Sequence, residues 1–460
     1  MTAQQRRLGL GITAAIVVAN MIGTGVFTGT GFNANALHDP KTVLLAWVIG
    51  GIVALCGAAC YAELGTLMPK AGGEYVYLRE AYHPALGFMS GWVSLTWGFS
   101  AAIATSAILF ATYLGALIGG ISDPWAVKLI AIALIVAMTL MHSFDAKVGG
   151  RVQQIFTIMK VVLIVVFIIA GFASGNGDWS HFETQGGGLS NVTTTAFAIQ
   201  LMYISFAYSG WNAAAYIAGE VERPEKTLPR SLLLGTGSVM LLYVLLNVIY
   251  FYALPSSVLA GPTDSFAPIK EVGHAAAVAL FGQRAGSMFT TMIALALVSA
   301  VSAMVMAGPR VYSAMANDRA LPTQLAKLNG RGVPVFAVAA QGVLGIAFVM
   351  FSELGQLMRF VGFTLAIFAA LTCSTLFVLR KRGLRGPYRT WGYPVTPLLF
   401  IAVSVWIAYA QIDQNPMESL VVAGVLVVGA LLYIFVVKPT KPVTPLPEPP
   451  KLPEARVVDE

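Results

Sequence analysis

The stretch Val17–Gly31, VVANMIGTGVFTGTG, lies in the first apolar segment of the chain, where a plain membrane helix would run without interruption. Gly23 and Gly25 flank Thr24 near the middle of this segment. A glycine inside a helix costs about 1 kcal/mol relative to alanine, and lipid heavily penalises every unpaired backbone group. A helix break at this depth is therefore tolerable only where it lines a cavity inside protein.

A broken helix has two properties that suit an anionic ligand. Its outer half begins with unpaired N–H groups, and the same end carries the positive pole of the helix dipole. Such an end holds a carboxylate at mid-membrane depth without a charged side chain. The alternative is that the glycines only let helices pack closely, as small residues do in membrane bundles. This stretch alone does not decide between the two.

The composition is that of a membrane protein. Of the 460 residues 57% are hydrophobic and only 11% are charged, whereas soluble domains carry about 25% charged residues. Apolar runs of about 20 residues recur along nearly the whole chain, which predicts an all-α polytopic membrane protein. The alternating segments of outer-membrane barrels are absent from the sequence. We expect about twelve transmembrane helices, at residues 8–32, 43–68, 86–118, 125–142, 151–173, 196–219, 231–253, 284–316, 334–352, 356–379, 394–412 and 418–437.

The basic residues predict which ends of the spans face the cytoplasm. With the N-terminus inside, the only Lys and Arg residues on the outer side are Lys41, Lys128, Lys270, Arg284 and Arg359. Because basic residues accumulate in cytoplasmic loops, we expect a multi-pass protein of the cytoplasmic membrane with both termini inside. The net charge of +7 is then a topology signal and does not indicate nucleic acid binding. The proline-rich tail at 438–460 is expected to be a disordered cytoplasmic segment.

The sixth apolar segment carries a second interruption, Tyr203–Ala215, YISFAYSGWNAAA. Ser209 and Gly210 fall near mid-membrane, and Trp211 and Asn212 follow them. The two interruptions lie in the first and the sixth span, so each belongs to the first span of a unit of five. Because five is an odd number, two such units must insert into the membrane in opposite directions. This is the pattern of inverted-repeat transporters, which hold the substrate between two broken helices at the bilayer midplane. The pair of interruptions therefore favours a transporter site over close packing alone.

These segments, taken with others along the chain, resemble the amino acid–polyamine–organocation superfamily, and within it the L-type-like amino acid transporters. The order and spacing of several short blocks carry the resemblance. The blocks are IGTGVF at 22–27, YAELG at 61–65, PKAGGEY at 69–75, FAYSGWN at 206–212, EVERPEKTLP at 220–229 and RVYSAMANDRALP at 310–322.

The resemblance implies the LeuT-type fold, a 5+5 inverted repeat with discontinuous helices 1 and 6. The transporter domain would cover residues 1–437, with repeats at roughly 8–173 and 196–379 and two peripheral helices within 394–437. The eukaryotic relatives pair with a glycoprotein through a cysteine between spans three and four. That loop, GGISDPW at 119–125, has no cysteine, so no disulfide-linked heavy chain is expected.

The resemblance also implies a substrate site between the two breaks. The α-carboxylate would lie on Thr24 and on neighbouring N–H groups. The α-amino group would donate to carbonyl oxygens of Met21, Phe206 and Ser209, with the Phe206 ring as an aromatic gate. The chemistry of a broken helix agrees with this, because helix N-termini favour an anion and unwound carbonyls favour a cation. The full set of implied substrate-binding residues is Met21, Gly23, Thr24, Gly25, Phe206, Ala207, Ser209, Gly210, Trp211 and Asn212.

Lys160 is a charged residue inside the fifth span. It follows Arg151 by nine residues, which places it about 13 Å into a core about 30 Å thick, and a lysine there is costly. One interpretation is a structural lysine satisfied by backbone carbonyls. The other, which the resemblance supports, is that its ammonium group replaces the sodium ion of coupled relatives, with Ser299 and Ser302 on span eight as neighbours. Proton coupling and plain exchange both stay open.

We therefore expect a secondary transporter that moves neutral L-amino acids by alternating access, independently of sodium, by exchange or proton-coupled uptake. An amine, polyamine or cationic amino acid antiporter on the same fold is the nearest alternative. Against it, Glu63 and Glu220 lie near cytoplasmic span ends, and no carboxylate is predicted at mid-depth. A membrane sensor that binds without transport is a more distant alternative. No motif of an enzyme is present in the sequence, and neither a metal site nor a cofactor is expected.

Overall fold

The computed structural model describes residues 8–69, 72–119, 121, 123–144, 146–183, 188–261, 268–384 and 386–437, with backbone only at 146–154 and 188–190. The tail at 438–460, for which disorder is predicted, lies outside these residues. Regular structure in the described part is helical. The α-helices are α1 Leu10–Met21, α2 Thr24–Leu37, α3 Pro40–Leu67, α4 Glu74–Ala81, α5 Pro84–Val93, α6 Ser100–Ile118, α7 Pro124–Phe144, α8 Ala146–Ala173, α9 Thr195–Tyr208, α10 Ala213–Tyr216, α11 Pro224–Ala253, α12 Ser256–Ala260, α13 Val272–Asn317, α14 Val335–Phe351, α15 Leu354–Lys381, α16 Val395–Gln414 and α17 Pro416–Phe435.

The prediction of about twelve membrane helices is confirmed. Nine helical stretches of the described chain are long and apolar enough to cross a membrane, and the pair α1 and α2, bent by 42°, makes a tenth. The shorter apolar helices α9 and α14 complete the set. The third span runs from α5 through a π-helical turn at Ser94–Phe99 into α6. In α13, Gly282 adopts φ +75° and kinks the helix, so the eighth span begins after it.

The first four pairs of spans that lie five positions apart pack against each other. In this way α2 contacts α9, α3 contacts α11, α6 contacts α13 and α7 contacts α14. The two broken spans, the first and the sixth, thereby meet at the centre of the bundle. The protein is an integral, multi-pass membrane protein with the fold expected of the amino acid–polyamine–organocation superfamily.

Large apolar side chains are exposed on the peripheral helices. Leu129 on α7 is 64% exposed, and Leu420 on α17 is 65% exposed. Such a surface would be a liability in water, but in a bilayer it faces acyl chains that are equally apolar. These helices therefore form the lipid-facing rim, while the first and sixth spans lie inside it.

One end of the bundle carries both ends of the described chain, and we call it the terminal end. There Leu8 pairs with Val221 in a short parallel bridge, and Tyr433 of α17 stacks edge-on against His83. The helix α4, between the second and third spans, also lies at this end. At the opposite end the Arg359 guanidinium pairs with the Glu418 carboxylate and donates to the Tyr203 hydroxyl at 2.6 Å.

Candidate functional site

The first span is interrupted where its glycines predict a break. The helix α1 ends at Met21, and α2 begins at Thr24 without a side-chain cap. Between them Gly23 has an extended backbone, with φ −148° and ψ −150°. The first N–H groups of α2 therefore have no partner within their own helix, and they point towards the break. The Met21 carbonyl accepts a hydrogen bond at 2.6 Å from the hydroxyl of Tyr243 on α11.

The sixth span is interrupted between α9 and α10, where Ser209 and Gly210 predict it. Gly210 has φ +97°, a conformation that L side chains rarely adopt. A Cβ atom added to Gly210 would lie 2.7 Å from the carbonyl carbon of Asn20 in α1. Likewise, a Cβ atom on Gly25 would lie 2.3 Å from the Cα atom of Ala207. The two broken spans thus cross in direct backbone contact, so these glycines serve close packing as well as the breaks.

The side chain of Lys160, on α8, is fully buried and reaches the first break. Its ammonium group donates to the carbonyl oxygen of Ile22 at 2.7 Å and also to that of Ala19. These are carbonyls left open at the C-terminal end of α1, where the helix dipole is negative. Lys160 therefore contacts the first span, and its ammonium group is a positive charge held beside the break.

A cavity of about 600 Å³ opens to the surface at the terminal end and reaches the two breaks. Its mouth is lined by Ile12, Glu220 and Arg310, and its inner end by Asn20 and Gly210. Ile12 and Arg310 are exposed. On the other side of the breaks the rings of Phe32 and Tyr203 stack at a centroid distance of 5.0 Å. Among the described residues, the cavity therefore opens on the terminal side of the breaks.

The predicted site residues fall into two groups. Three of them, together with Asn20, line the inner part of the cavity. Buried behind this lining, the Thr24 and Ser106 hydroxyls lie 2.6 Å apart, and Phe206 is 5% exposed. The lining residues from the prediction are Ser209, Gly210 and Asn212, and the predicted substrate-binding residues outside the lining are Met21, Gly23, Thr24, Gly25, Phe206, Ala207 and Trp211.

Two predicted residues point elsewhere. Trp211 packs edge-on against Tyr61 at 4.7 Å and lies near Phe400 of α16, so its ring faces away from the cavity. On α13, the Ser302 hydroxyl lies 2.8 Å from Nε2 of His142 on α7, a partner that the sequence did not suggest. Ser299 is likewise buried on α13.

The cavity wall also contains Glu74, whose part in the site the sequence analysis missed. Its Oε1 atom accepts from the Tyr61 hydroxyl at 2.6 Å and from the Asn212 amide at 3.0 Å, and Ser90 is a third hydrogen-bonding partner. Burial raises the pKa of the Glu74 carboxyl, and these hydrogen bonds offset part of that effect. The only signal in the sequence was the block PKAGGEY, which lies in a loop between spans.

Comparison with known proteins identifies the family to which a chain with this arrangement belongs. The model of the amino acid permease family matches residues 8–437. The chain is 30% identical to the serine/threonine exchanger SteT of Bacillus subtilis over 423 residues, 90% of this chain and 93% of that protein. It is 27% identical to the human b(0,+)-type amino acid transporter 1 over 446 residues, covering 94% and 88% of the two chains.

A third relative is the human large neutral amino acids transporter small subunit 2, with 27% identity over 421 residues, 88% of this chain and 76% of that protein. These relatives are named as amino acid transporters or exchangers, and each match spans most of both chains. The family model covers the helical bundle with both broken spans. The chain belongs to the amino acid permease family of the amino acid–polyamine–organocation superfamily.

Proposed function

We propose that this protein is a secondary transporter that carries neutral L-amino acids across the cytoplasmic membrane by alternating access. The observation that carries the proposal is the crossing of two broken spans at the inner end of a 600 Å³ cavity. A cavity of that size accommodates a small solute. The names of the relatives, a serine/threonine exchanger and a large neutral amino acid transporter subunit among them, support this class of substrate.

The two breaks offer complementary chemistry to one zwitterion. The uncapped start of α2 at Thr24 presents N–H groups and a positive dipole end to a carboxylate. The end of α9 presents carbonyl oxygens to an ammonium group, and Ser209 N–H already uses one lone pair of the Phe206 carbonyl at 3.0 Å. A carbonyl oxygen has a second lone pair, so it can still accept from the α-amino group of a substrate.

Sodium independence is the second part of the proposal, and Lys160 supports it. Its ammonium group lies against the carbonyl oxygens of Ala19 and Ile22, which are hard oxygen ligands of the kind a cation prefers. A sodium ion placed there would meet like-charge repulsion in a site of low dielectric constant. Exchange and proton-coupled uptake both fit this arrangement.

The direction in which the cavity opens follows from topology. The terminal end carries Arg310 and Arg380, and the basic residues of the connections predict that this end is cytoplasmic. We therefore assign the structure to the inward-open state, with both termini in the cytoplasm. The transporter domain is assigned to residues 1–437 with repeats at 8–173 and 196–379, and no disulfide-linked heavy chain is proposed because residues 119–125 lack a cysteine.

One observation favours a second candidate, an antiporter of cationic amino acids or amines. The carboxylates of Glu74 and Glu220 both line the cavity, whereas the sequence predicted none that reached the site. The neutral class is proposed because most of the residues that line the cavity are small or apolar, with Ala19, Ala213 and Ala303 among them.

Uptake by purified protein in proteoliposomes tests the proposal. Vesicles loaded with unlabelled serine are expected to take up labelled serine, alanine and leucine. Empty vesicles give the background for each substrate. Uptake of arginine or putrescine without any uptake of the three neutral amino acids would replace the proposal with the second candidate. Binding of serine without exchange would indicate a sensor.

A further inference from the structure

The break in the sixth span needs an anchor outside its own helix. Two of its backbone hydrogen bonds stay local, since Ser209 N–H donates to Phe206 and Ala213 N–H donates to Gly210. The left-handed backbone conformation of Gly210 is strained for most residues. Glycine adopts it easily, but glycine can also adopt several other conformations. The side chain of Asn212 makes a hydrogen bond beyond the span, because its amide donates to Glu74 at 3.0 Å.

Contacts from several sides hold Glu74 in position. It is the first residue of α4 and follows Gly72 and Gly73, both with positive φ. A Cβ atom on Gly73 would lie 2.4 Å from the ring of Tyr216 in α10, so the glycine lets α4 begin directly against the inner half of the sixth span. Tyr61 on α3 then donates to the carboxylate at 2.6 Å.

The Asn212 amide is fully engaged by this arrangement. Its nitrogen donates to Glu74 and, at 3.0 Å, to the hydroxyl of Tyr216, so both amide hydrogens have acceptors. The acceptor in Glu74 is a buried carboxylate, and hydrogen bonds to an ionised group are about twice as strong as neutral ones. No described Lys or Arg lies within salt-bridge distance of Glu74, in contrast with Glu63 and Glu80.

The far end of α4 is tied to the eighth span. Arg79 pairs with Asp318 at 2.5 Å, just beyond the C-terminal end of α13, and the Tyr75 hydroxyl donates to the same carboxylate at 2.9 Å. Further along α13, Ala300 lies against the first break, where a Cβ atom on Gly23 would be 3.8 Å away. The helix α4 thus connects the sixth-span break to the helix that packs on the first-span break.

We infer that Glu74 is the positioning residue of the sixth-span break: its carboxylate holds the Asn212 amide and, through it, the backbone at Ser209 and Gly210 that faces the substrate. Glu74 does not itself bind the substrate in this account. The inference rests on the proposed function, because it assigns the Ser209–Gly210 backbone to substrate binding. A loss of this anchor should therefore weaken substrate affinity and not merely lower the amount of folded protein.

The test uses full-length protein in proteoliposomes and measures KM and kcat for serine exchange per amount of monodisperse protein. Glu74→Ala and Asn212→Ala are each expected to raise KM about tenfold, the effect of losing one hydrogen bond to a charged group. The double variant should be only slightly worse than either single variant, because both changes remove the same contact. Glu74→Gln keeps an acceptor oxygen in place and should rescue most of the loss.

Glu80→Gln is the matched control. Glu80 is also buried on α4, but it pairs with Arg79 instead of Asn212, so its variant should keep KM within about twofold of wild type. The inference would be overturned by an unchanged KM in Glu74→Ala or by an equal rise of KM in Glu80→Gln. It would also be overturned if the KM effects of the two single variants multiply in the double variant. If Glu74→Ala does not fold, an unchanged KM in Asn212→Ala overturns it. A wild-type protein without any exchange would count against the proposed function.

Discussion

The ammonium group of Lys160 lies 2.7 Å from the carbonyl oxygen of Ile22, at the end of the first half of the broken first span. A second bond to the Ala19 carbonyl makes the contact bidentate. These carbonyls are open because α1 stops at Met21. The break in the first span and the ammonium group in the fifth span therefore form one structural unit. The carbonyl oxygens accept hydrogen bonds from the ammonium group, and lipid could provide a partner for neither.

Replacement of Lys160 by alanine should abolish most transport. The change removes two hydrogen bonds from a charged donor, each contributing about 1.5–3 kcal/mol, and leaves carbonyls of the break unpaired. We expect exchange of serine to fall by about tenfold or more. Lys128→Ala is the control, because Lys128 also donates to a backbone carbonyl, that of Met350 at 2.8 Å, but at the far end of the bundle. An unimpaired Lys160→Ala protein would reduce this lysine to a dispensable structural role.

The pH profile of Lys160→Ala distinguishes two kinds of coupling. If Lys160 carries a coupled proton, wild-type uptake should rise with an inward proton gradient, and the alanine variant should lose that dependence. If Lys160 is a fixed charge, the variant should lose rate with an unchanged pH profile. Uptake measured with and without an imposed pH gradient separates the two cases.

Substitution of Gly25 by valine should abolish substrate binding. A side chain there would take the room that a carboxylate needs, and it would also clash, since a Cβ atom would lie 2.3 Å from the backbone of Ala207. Gly25→Ala should therefore also disturb the crossing of the two spans. Gly237→Ala is a matched control, because the nearest atom to a Cβ there is 4.0 Å away. Wild-type serine affinity in folded Gly25→Val would contradict the account.

Loss of the Tyr243 hydroxyl should affect transport more than loss of the hydroxyl of the neighbouring Tyr208. Tyr243 donates to the Met21 carbonyl at the break, whereas Tyr208 donates to the carbonyl of Trp47, away from it, at 3.1 Å. Each phenylalanine variant removes one buried hydrogen bond and should cost about 1 kcal/mol of stability. Only Tyr243→Phe is expected to change KM or kcat for serine. Equal kinetic effects in the two variants would show that the Met21 contact has no special role.

The stability of the Glu74→Gln variant should depend on pH in a defined direction. Burial raises the pKa of Glu74 in the folded protein above its ordinary value. The folded state therefore binds the proton more tightly than the unfolded state, and wild-type stability falls as pH rises through the raised pKa. We expect Glu74→Gln to have a higher Tm than the wild-type protein at neutral pH. The difference in Tm should shrink as the pH falls towards the ordinary pKa of a glutamate carboxyl. A Tm that is lower at every pH would contradict this.

Much of this architecture could be predicted from the sequence, because lipid restricts the options of the backbone. Glycines at mid-span, at Gly23 and Gly210, mark breaks that are tolerable only inside the bundle. A buried ammonium group needs carbonyl partners, which is one interpretation that the sequence gives for Lys160, and the broken first span supplies them.

The direction of individual side chains could not be predicted. Both faces of a central span are apolar in the sequence, so nothing there shows that Trp211 packs towards α16 and away from the cavity. Glu74 was missed for a related reason. It lies in a connection between spans, and only the packing of Gly73 on Tyr216 brings its carboxylate to the site. Such contacts depend on tertiary structure and leave no periodic pattern.

The most direct test of the account is the sodium dependence of exchange. Proteoliposomes loaded with unlabelled serine are placed in labelled serine, once in sodium chloride and once in choline chloride at equal ionic strength. We expect equal initial rates, because the Lys160 ammonium group already occupies the carbonyl oxygens of Ala19 and Ile22. Uptake that requires sodium, or that a sodium gradient drives, would contradict it.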